Sequence, residues 1–139
     1  MEELKKKPLL ITIENPVSPL QHSKELIEGL MIYAKYKQPI VIAPEDQSGT
    51  TAPVTLAGLM VQQNAEILSG IVLVELINPG APVLYGTVST IADMKSGGIA
   101  LGAVEAGIIN AVTAQLAQYY GIPSRGTAGT TDSKIPDIQ

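Results

Sequence analysis

Pro39-Ile40-Val41-Ile42-Ala43 is an uninterrupted apolar run with three β-branched residues at its centre. Such side chains favour strands. A strand with one wet face alternates apolar and polar residues. A run with no polar member is buried on both faces, which is the situation of strands in parallel sheets. Pro39 stands at its start, where a missing N–H is tolerated. Working outward, three further runs read as buried strands. They are Leu9-Leu10-Ile11-Thr12-Ile13 after Pro8, Pro82-Val83-Leu84-Tyr85 after the turn Asn78-Pro79-Gly80, and Ile122-Pro123-Ser124-Arg125 after Tyr120-Gly121.

Helical patterns fill the gaps. Ser23 is a fitting N-cap, with Glu25 in the first turn, for a helix over residues 24–36 whose stripe is Leu26, Leu30 and Tyr33 beside Ile27 and Met31. A longer helix is predicted over 53–76, with Pro53 near its first position, and its largely apolar circumference calls for heavy burial. A third spans 104–120 and ends at Gly121, a fitting left-handed C-terminal residue. The order βαβαβαβ implies an α/β fold with a parallel sheet, covered on both faces or closed into a barrel. A complete (β/α)8 barrel needs at least about 200 residues. The chain is therefore expected to be one partial TIM-barrel domain over residues 1–139, about four strands with intervening helices and no second domain. A small doubly wound sheet is the alternative.

Composition narrows the functional classes. The 139 residues contain no Phe, Trp or Cys, so apolar bulk comes from Ile, Leu, Val and Ala, and disulfides and thiolate metal sites are excluded. The net charge is -4, and the one basic run, Lys5-Lys6-Lys7, reads as a solvated leader over residues 1–7 with no basic face continuing it. Nucleic acid is not an expected partner. The greasiest stretch, residues 67–77, contains Ser69, Gly70 and Glu75 and is too short to span a bilayer. No membrane association is expected, and a cytoplasmic location fits.

In parallel α/β folds ligands lie at the C-terminal ends of the strands. Four loops converge there: Glu14-Asn15-Pro16, residues 45–51, Tyr85-Gly86-Thr87, and residues 125–132. The second is rich in Gly, Ser and Thr and leads into a helix, so its N–H groups would suit an anion or simply cap a turn. It lacks the Lys of a P-loop and the spacing of a dinucleotide fingerprint. The fourth, Ser124-Arg125-Gly126-Thr127-Ala128-Gly129-Thr130-Thr131-Asp132, has the backbone freedom for close approach to a ligand. Glu14, Glu45 and Asp132 would form a carboxylate cluster that attracts a cation, and Tyr85 would add a ring face for a methylammonium group. Arg125 completes the set of candidate substrate-binding residues. His22, the one histidine, is read as a surface residue, so neither a Ser-His-Asp triad nor a multi-histidine metal site is available. No metal site is expected. Gln62, Gln63, Asn64 and Glu66 interrupt an apolar helix, and either line a site or meet the next helix.

Several segments together resemble the trimethylamine methyltransferase family. They are Asn15-Pro16-Val17-Ser18-Pro19-Leu20, residues 49–58 (GTTAPVTLAG), Asn64-Ala65-Glu66-Ile67-Leu68-Ser69-Gly70, Pro79-Gly80-Ala81-Pro82-Val83-Leu84-Tyr85-Gly86, Gly102-Ala103-Val104-Glu105, and residues 120–125 (YGIPSR) through Thr131-Asp132-Ser133-Lys134. Each is short; their order and spacing make the match. The resemblance implies a (β/α)8 barrel far longer than this chain, an internal fragment of which would be inactive alone. The whole enzyme would move a methyl group from trimethylamine to the cobalt of a corrinoid carried on a partner protein, as in methanogenesis, and would be a homo-oligomer. No cofactor would be bound directly. Some family members carry pyrrolysine, which would lie just beyond Gln139 if an amber codon follows that position; the catalytic residue would then be absent from this chain. A pyrrolysine-free glycine betaine-type corrinoid methyltransferase is the alternative within the class. A non-catalytic module that binds quaternary ammonium compounds is the alternative outside it.

Overall fold

The apolar run at 40–42 pairs with a strand on each side, as its lack of a polar face requires. The computed structural model describes residues 2–127 and residue 135. In chain order the elements are α1 (Glu2–Lys6), β1 (Thr12–Glu14), α2 (Lys24–Lys35), β2 (Ile40–Ile42), β3 (Gln47–Ser48), α3 (Leu56–Ile77), β4 (Val83–Gly86), β5 (Thr90–Ala92), β6 (Ile99–Ala100), α4 (Val104–Tyr120) and β7 (Ser124–Arg125). The main sheet has the order β1-β2-β4-β7, and every pair in it is parallel. A second sheet joins β3, β5 and β6, with β3–β5 parallel and β5–β6 antiparallel.

Each crossover between neighbouring strands of the main sheet carries one helix. α2 packs on α3 and α3 on α4, so the three helices form a single layer on one face. A doubly wound sheet reverses its strand order and covers both faces with helices. Here the strands lie side by side in their order along the chain.

Strand alternation decides which residues meet that layer. Glu14, Ile42 and Tyr85 stand in register across β1, β2 and β4, and Ser124 continues the row on β7. Ile42 packs against Gly70 of α3, where an added Cβ would lie 2.9 Å from Ile42 Cγ2. The row therefore faces the helices. Leu30 and Ala34 of α2, Ile40 and Ile42 of β2, Ile67 and Val74 of α3, Tyr85 of β4 and Ala117 of α4 form the core between sheet and helices. The alternate row, with Val41, Ala43, Gly86 and Arg125, faces away from it.

The helix ends follow the local chemistry. Ser23 caps α2 by accepting from the Leu26 N–H, and Gly121 ends α4 at φ 69. The long helix starts later than its pattern predicts: Thr55 is the cap, accepting from Gly58 N–H, and Pro53 lies in the loop before it. α3 has the length and composition that a membrane-spanning helix would also show, but here it lies between α2 and α4 over the sheet. The first strand also starts late. The N–H groups of Leu9 and Leu10 both donate to Oε1 of Gln38, a side-chain acceptor in place of a ladder. The basic leader contains the short helix α1, which sequence patterning did not reveal.

Gly86 tests the packing of the face away from the helices. A Cβ there would lie 2.7 Å from Val41 Cγ1, 2.8 Å from Ala43 Cβ and 3.0 Å from the Ile42 carbonyl oxygen. Gly86→Ala is expected to destabilise the chain by about 1–3 kcal/mol, because a β-branched side chain, a β-carbon and a backbone carbonyl crowd the position and have little freedom to move aside. Urea unfolding should show a lower midpoint at unchanged slope; an unchanged midpoint would show that the sheet yields there.

Candidate functional site

Parallel strands all end on the same side, so the exits of β1, β2, β4 and β7 gather at one rim. Two of them do not remain loops. The exits of β2 and β4 run on together, with Val88 N–H donating to Pro44 O and Thr90 N–H to Asp46 O, both at 2.9 Å, and then pair as β3 and β5. This second sheet replaces the open Gly/Ser/Thr-rich loop expected at residues 45–51. Of the two readings of that loop, anion cradle and capped turn, the geometry is that of the turn: the N–H groups of Thr50, Thr51 and Ala52 all donate to Gln47 O, and that of Gly49 donates to Ala52 O. The donors of that turn are already satisfied internally.

A buried acidic patch joins the β1 and β2 exits to α3. Glu66, 2% exposed, accepts from Ser18 Oγ at 2.9 Å, from Leu20 N–H at 2.8 Å and from Gln62 Nε2 at 3.2 Å. The Gln62 amide also donates to Asp46 Oδ1 at 2.6 Å and to Thr51 O at 2.9 Å. One helical turn along α3, Ser69 meets Nε2 of His22, whose Nδ1 lies 3.1 Å from Glu14 Oε1. One oxygen each of Glu14 and Asp46, Oε2 and Oδ2, is buried without a partner. Burial first, then the charge of Glu66, push the Asp46 carboxyl up to about 6, against the pull of the hydrogen bond from Gln62.

A neutral network ties the β4 and β7 exits together. Thr87 Oγ1 donates to Gln63 Oε1 at 2.6 Å, and Gln63 Nε2 donates to Thr113 Oγ1 at 2.9 Å. Thr127 Oγ1 donates to the Thr87 carbonyl, and its N–H donates to Asn110 Oδ1 at 2.9 Å. Gly126 lies close beside Asn110, and a Cβ there would force the Asn110 amide to shift. At the edge of the second sheet a cavity of about 360 Å³ is lined by Ser48, Val54, Leu56, Ile91, Met94 and Glu105, among others. Its walls are mostly apolar and it carries one carboxylate. A larger opening, about 440 Å³, lies at the opposite end of the sheet beside Lys35, Lys37, Ile77 and Asn78.

Of the five residues expected to bind substrate, the four that lie among the described residues do not converge. Glu14 faces the helix layer and is buried against His22. Tyr85 is fully buried in the same layer, its hydroxyl donating to Asn64 Oδ1 at 2.8 Å and its ring stacked on Tyr120 at 6.0 Å. Burial, then Tyr120, raise its pKa above the ordinary phenol value. It presents no open ring face, because the strand register turns it away from the other surface of the sheet. Glu45 is exposed; its neighbour Asp46 takes the buried place. Arg125 pairs with Gly86 and lies on the face away from the helices. Asp132 lies outside the described residues. His22, read as a surface residue, is instead a half-buried bridge between β1 and α3. Sequence reading missed Ser18, Leu20 and Asp46. The available signal was the spacing 62, 66, 69 within α3, which places three polar side chains on one helical face. Among the described residues, no group of three or more His, Cys, Asp or Glu side chains is placed to hold a metal ion.

A family model described as trimethylamine methyltransferase matches residues 1–139. The chain is 43% identical to a glycine betaine methyltransferase of Desulfitobacterium hafniense over 98% of its own length and 28% of the relative's. It is 43% identical to a trimethylamine methyltransferase of Methanosarcina barkeri over 99% of its length and 28% of the relative's. A proline betaine:corrinoid methyltransferase of Eubacterium limosum is 43% identical over 96% of the chain and 27% of that protein. The chain thus spans less than a third of the length of these curated relatives.

The acidic patch has a measurable pH signature. Because the folded Asp46 carboxyl titrates near 6 and its ordinary value is 3.8, the folded chain binds this proton more tightly than the unfolded chain. The stabilising contribution is complete below the unfolded value and is lost as pH rises toward 6. Urea unfolding across about pH 4 to 7 should therefore show a fall in stability from this group that Asp46→Asn removes. A variant that keeps the wild-type slope would place the proton elsewhere.

Proposed function

The chain belongs to the trimethylamine methyltransferase family, and on that premise we propose that it is part of an enzyme taking a methyl group from trimethylamine and passing it to the cobalt of a corrinoid on a partner protein. The observation that carries this reading is the match of the whole chain to a family whose relatives are named for trimethylamine, glycine betaine and proline betaine. These donors share N-methyl groups. A methyl on a cationic nitrogen has a better leaving group than one on a neutral amine, so the site must both hold the donor and favour positive charge.

The rim suits that task in chemical kind. The cavity beside the second sheet combines apolar walls with the Glu105 carboxylate. Apolar walls accept methyl groups, and a half-buried carboxylate beside them such as Glu105 balances a cation. Glu45, Arg125 and Asp132 are proposed to contact the donor from the strand exits. Glu14 and Tyr85 are assigned a supporting role, holding the β1 exit and the β4–helix packing. The corrinoid is assigned to the partner, a reading supported by the name of the proline betaine:corrinoid relative, and the role of this chain is to bind, align and shield the donor.

In the whole protein the main sheet is proposed to continue into a closed (β/α)8 barrel. Three features support this: strands in chain order, helices in one layer, and the place of β1 at the open end of the sheet order, with Ile13 exposed. An open edge of this kind invites another strand. Homo-oligomeric assembly and a cytoplasmic location belong to the same proposal.

Arg125 favours a second reading, the pyrrolysine-free betaine enzyme. It lies on the face away from the helices at the rim, and a guanidinium recognises a carboxylate, which betaines carry and trimethylamine lacks. The two readings separate experimentally. The full-length protein, mixed with a reduced corrinoid protein and one donor at a time, is expected to release dimethylamine from trimethylamine, and Glu45→Gln is expected to lower kcat/KM by about tenfold. Preferential demethylation of glycine betaine, lowered about tenfold or more by Arg125→Met, would select the betaine reading. An in-frame amber codon directly after that of Gln139 would favour trimethylamine, and a sense codon the betaine reading. Binding without release of a demethylated amine from any of the three donors would make the protein a non-catalytic module.

A further inference from the structure

Glu66 stands in the middle of a helix that has only one other charged residue in its 22, Glu75. It is buried, and a buried carboxylate is costly unless its oxygens are satisfied. No cation does so. Its partners are three neutral donors, and two of them, the Ser18 hydroxyl and the Leu20 N–H, come from the tip of the β1 exit. That tip closes on itself: Val17 N–H donates to Gln21 O at 2.7 Å and Gln21 N–H donates to Val17 O at 3.0 Å. The carboxylate thus occupies the inside of a five-residue loop and takes the donors that point inward.

Leu20 supplies an independent observation. Its φ is 57, in the left-handed region that a leucine adopts only at a cost. Its side chain is 65% exposed, so burial does not compensate. Conformations of this kind persist where the surroundings over-determine them, and they concentrate at functional sites. The Leu20 N–H is directed at Glu66 Oε1, which identifies the constraint. The result is a loop that turns Val17 and Leu20 outward at the rim where the strand exits gather. His22 pins the base of the same loop one helical turn away, between Glu14 and Ser69.

We propose that Glu66 is the positioning residue of the β1 exit, fixing residues 18–20 so that this part of the rim is pre-formed for the methyl donor. The donor rests on the functional reading above; the hold on the loop rests on geometry alone. Two measurements on the full-length protein separate them: amide hydrogen exchange at Leu20, and kcat and KM for the donor that the wild type demethylates. In Glu66→Ala the Leu20 amide is expected to exchange about tenfold faster or more, the loss associated with hydrogen bonds to a charged group. KM should rise by about tenfold while kcat changes by less than about threefold, the pattern of lost ground-state binding. Glu66→Gln should recover both, since its amide oxygen accepts from Leu20 and its NH2 donates to Ser18. Should Glu66→Ala fail to fold, Ser18→Ala removes one donor alone and is expected to raise KM by a smaller factor. Unchanged Leu20 exchange in Glu66→Ala overturns the hold on the loop. Faster exchange with unchanged KM, or no rescue by glutamine, overturns the positioning role. If the wild type demethylates none of the donors, the functional reading fails together with the donor's part in the proposal, and Leu20 exchange alone still decides whether Glu66 holds the loop.

Discussion

Parallel neighbours cannot be joined by a tight turn; each needs a crossover, and the crossover returns the chain to the same starting end. In this protein that constraint organises nearly everything else. Three helices of 12, 22 and 17 residues carry the chain back across one face, and all four strands release their continuations at one rim. Ile42 is where the constraint becomes packing. It is fully buried between two parallel partners on one side and the Gly70 backbone on the other. Helix α3 reaches the sheet this closely only because Gly70 has no side chain.

The same register divides the polar residues between two surfaces. Alternation sends Glu14 and Tyr85 with Ile42 toward the helices and leaves Arg125 with Gly86 on the other face. The helix-facing set became structural. Asn64 joins the two tyrosine hydroxyls, Glu66 holds the β1 exit, and Gln63 links β4 to α4. What looked like one polar interruption in an apolar helix serves three separate connections, two of which reach the rim. One of these networks is acidic, the other neutral, so the β1–β2 side of the rim responds to pH through Asp46 while the β4–β7 side has no such group in its network.

Sequence patterning revealed the elements that are long enough to have a period. The three long helices and the parallel character of the strands were legible from the spacing of Leu26, Leu30 and Tyr33 and from the unbroken run at 40–42. The second sheet was not, because strands of two residues such as Gln47–Ser48 and Ile99–Ala100 have no periodicity to read. Loop residues fared worst for the same reason. Nothing local distinguishes Glu45 from Asp46, yet one is exposed and the other fully buried. His22 lay in a loop without a pattern, and its place between Glu14 and Ser69 depends on contacts 8 and 47 residues distant. Tyr85 was placed at the mouth by its position at a strand end, and the register then turned it inward.

On the proposed function, a methylated ammonium donor is held at the gathered strand exits, on the side that carries Arg125. A crystal structure of the full-length protein with trimethylamine or glycine betaine bound tests it directly. Density for the donor nitrogen is expected beside the exits of β1, β2, β4 and β7, within reach of the outward-facing side that carries Arg125. Donor density at the opposite end of the sheet, by Lys35 and Lys37, or within the helix layer around Tyr85, would contradict it.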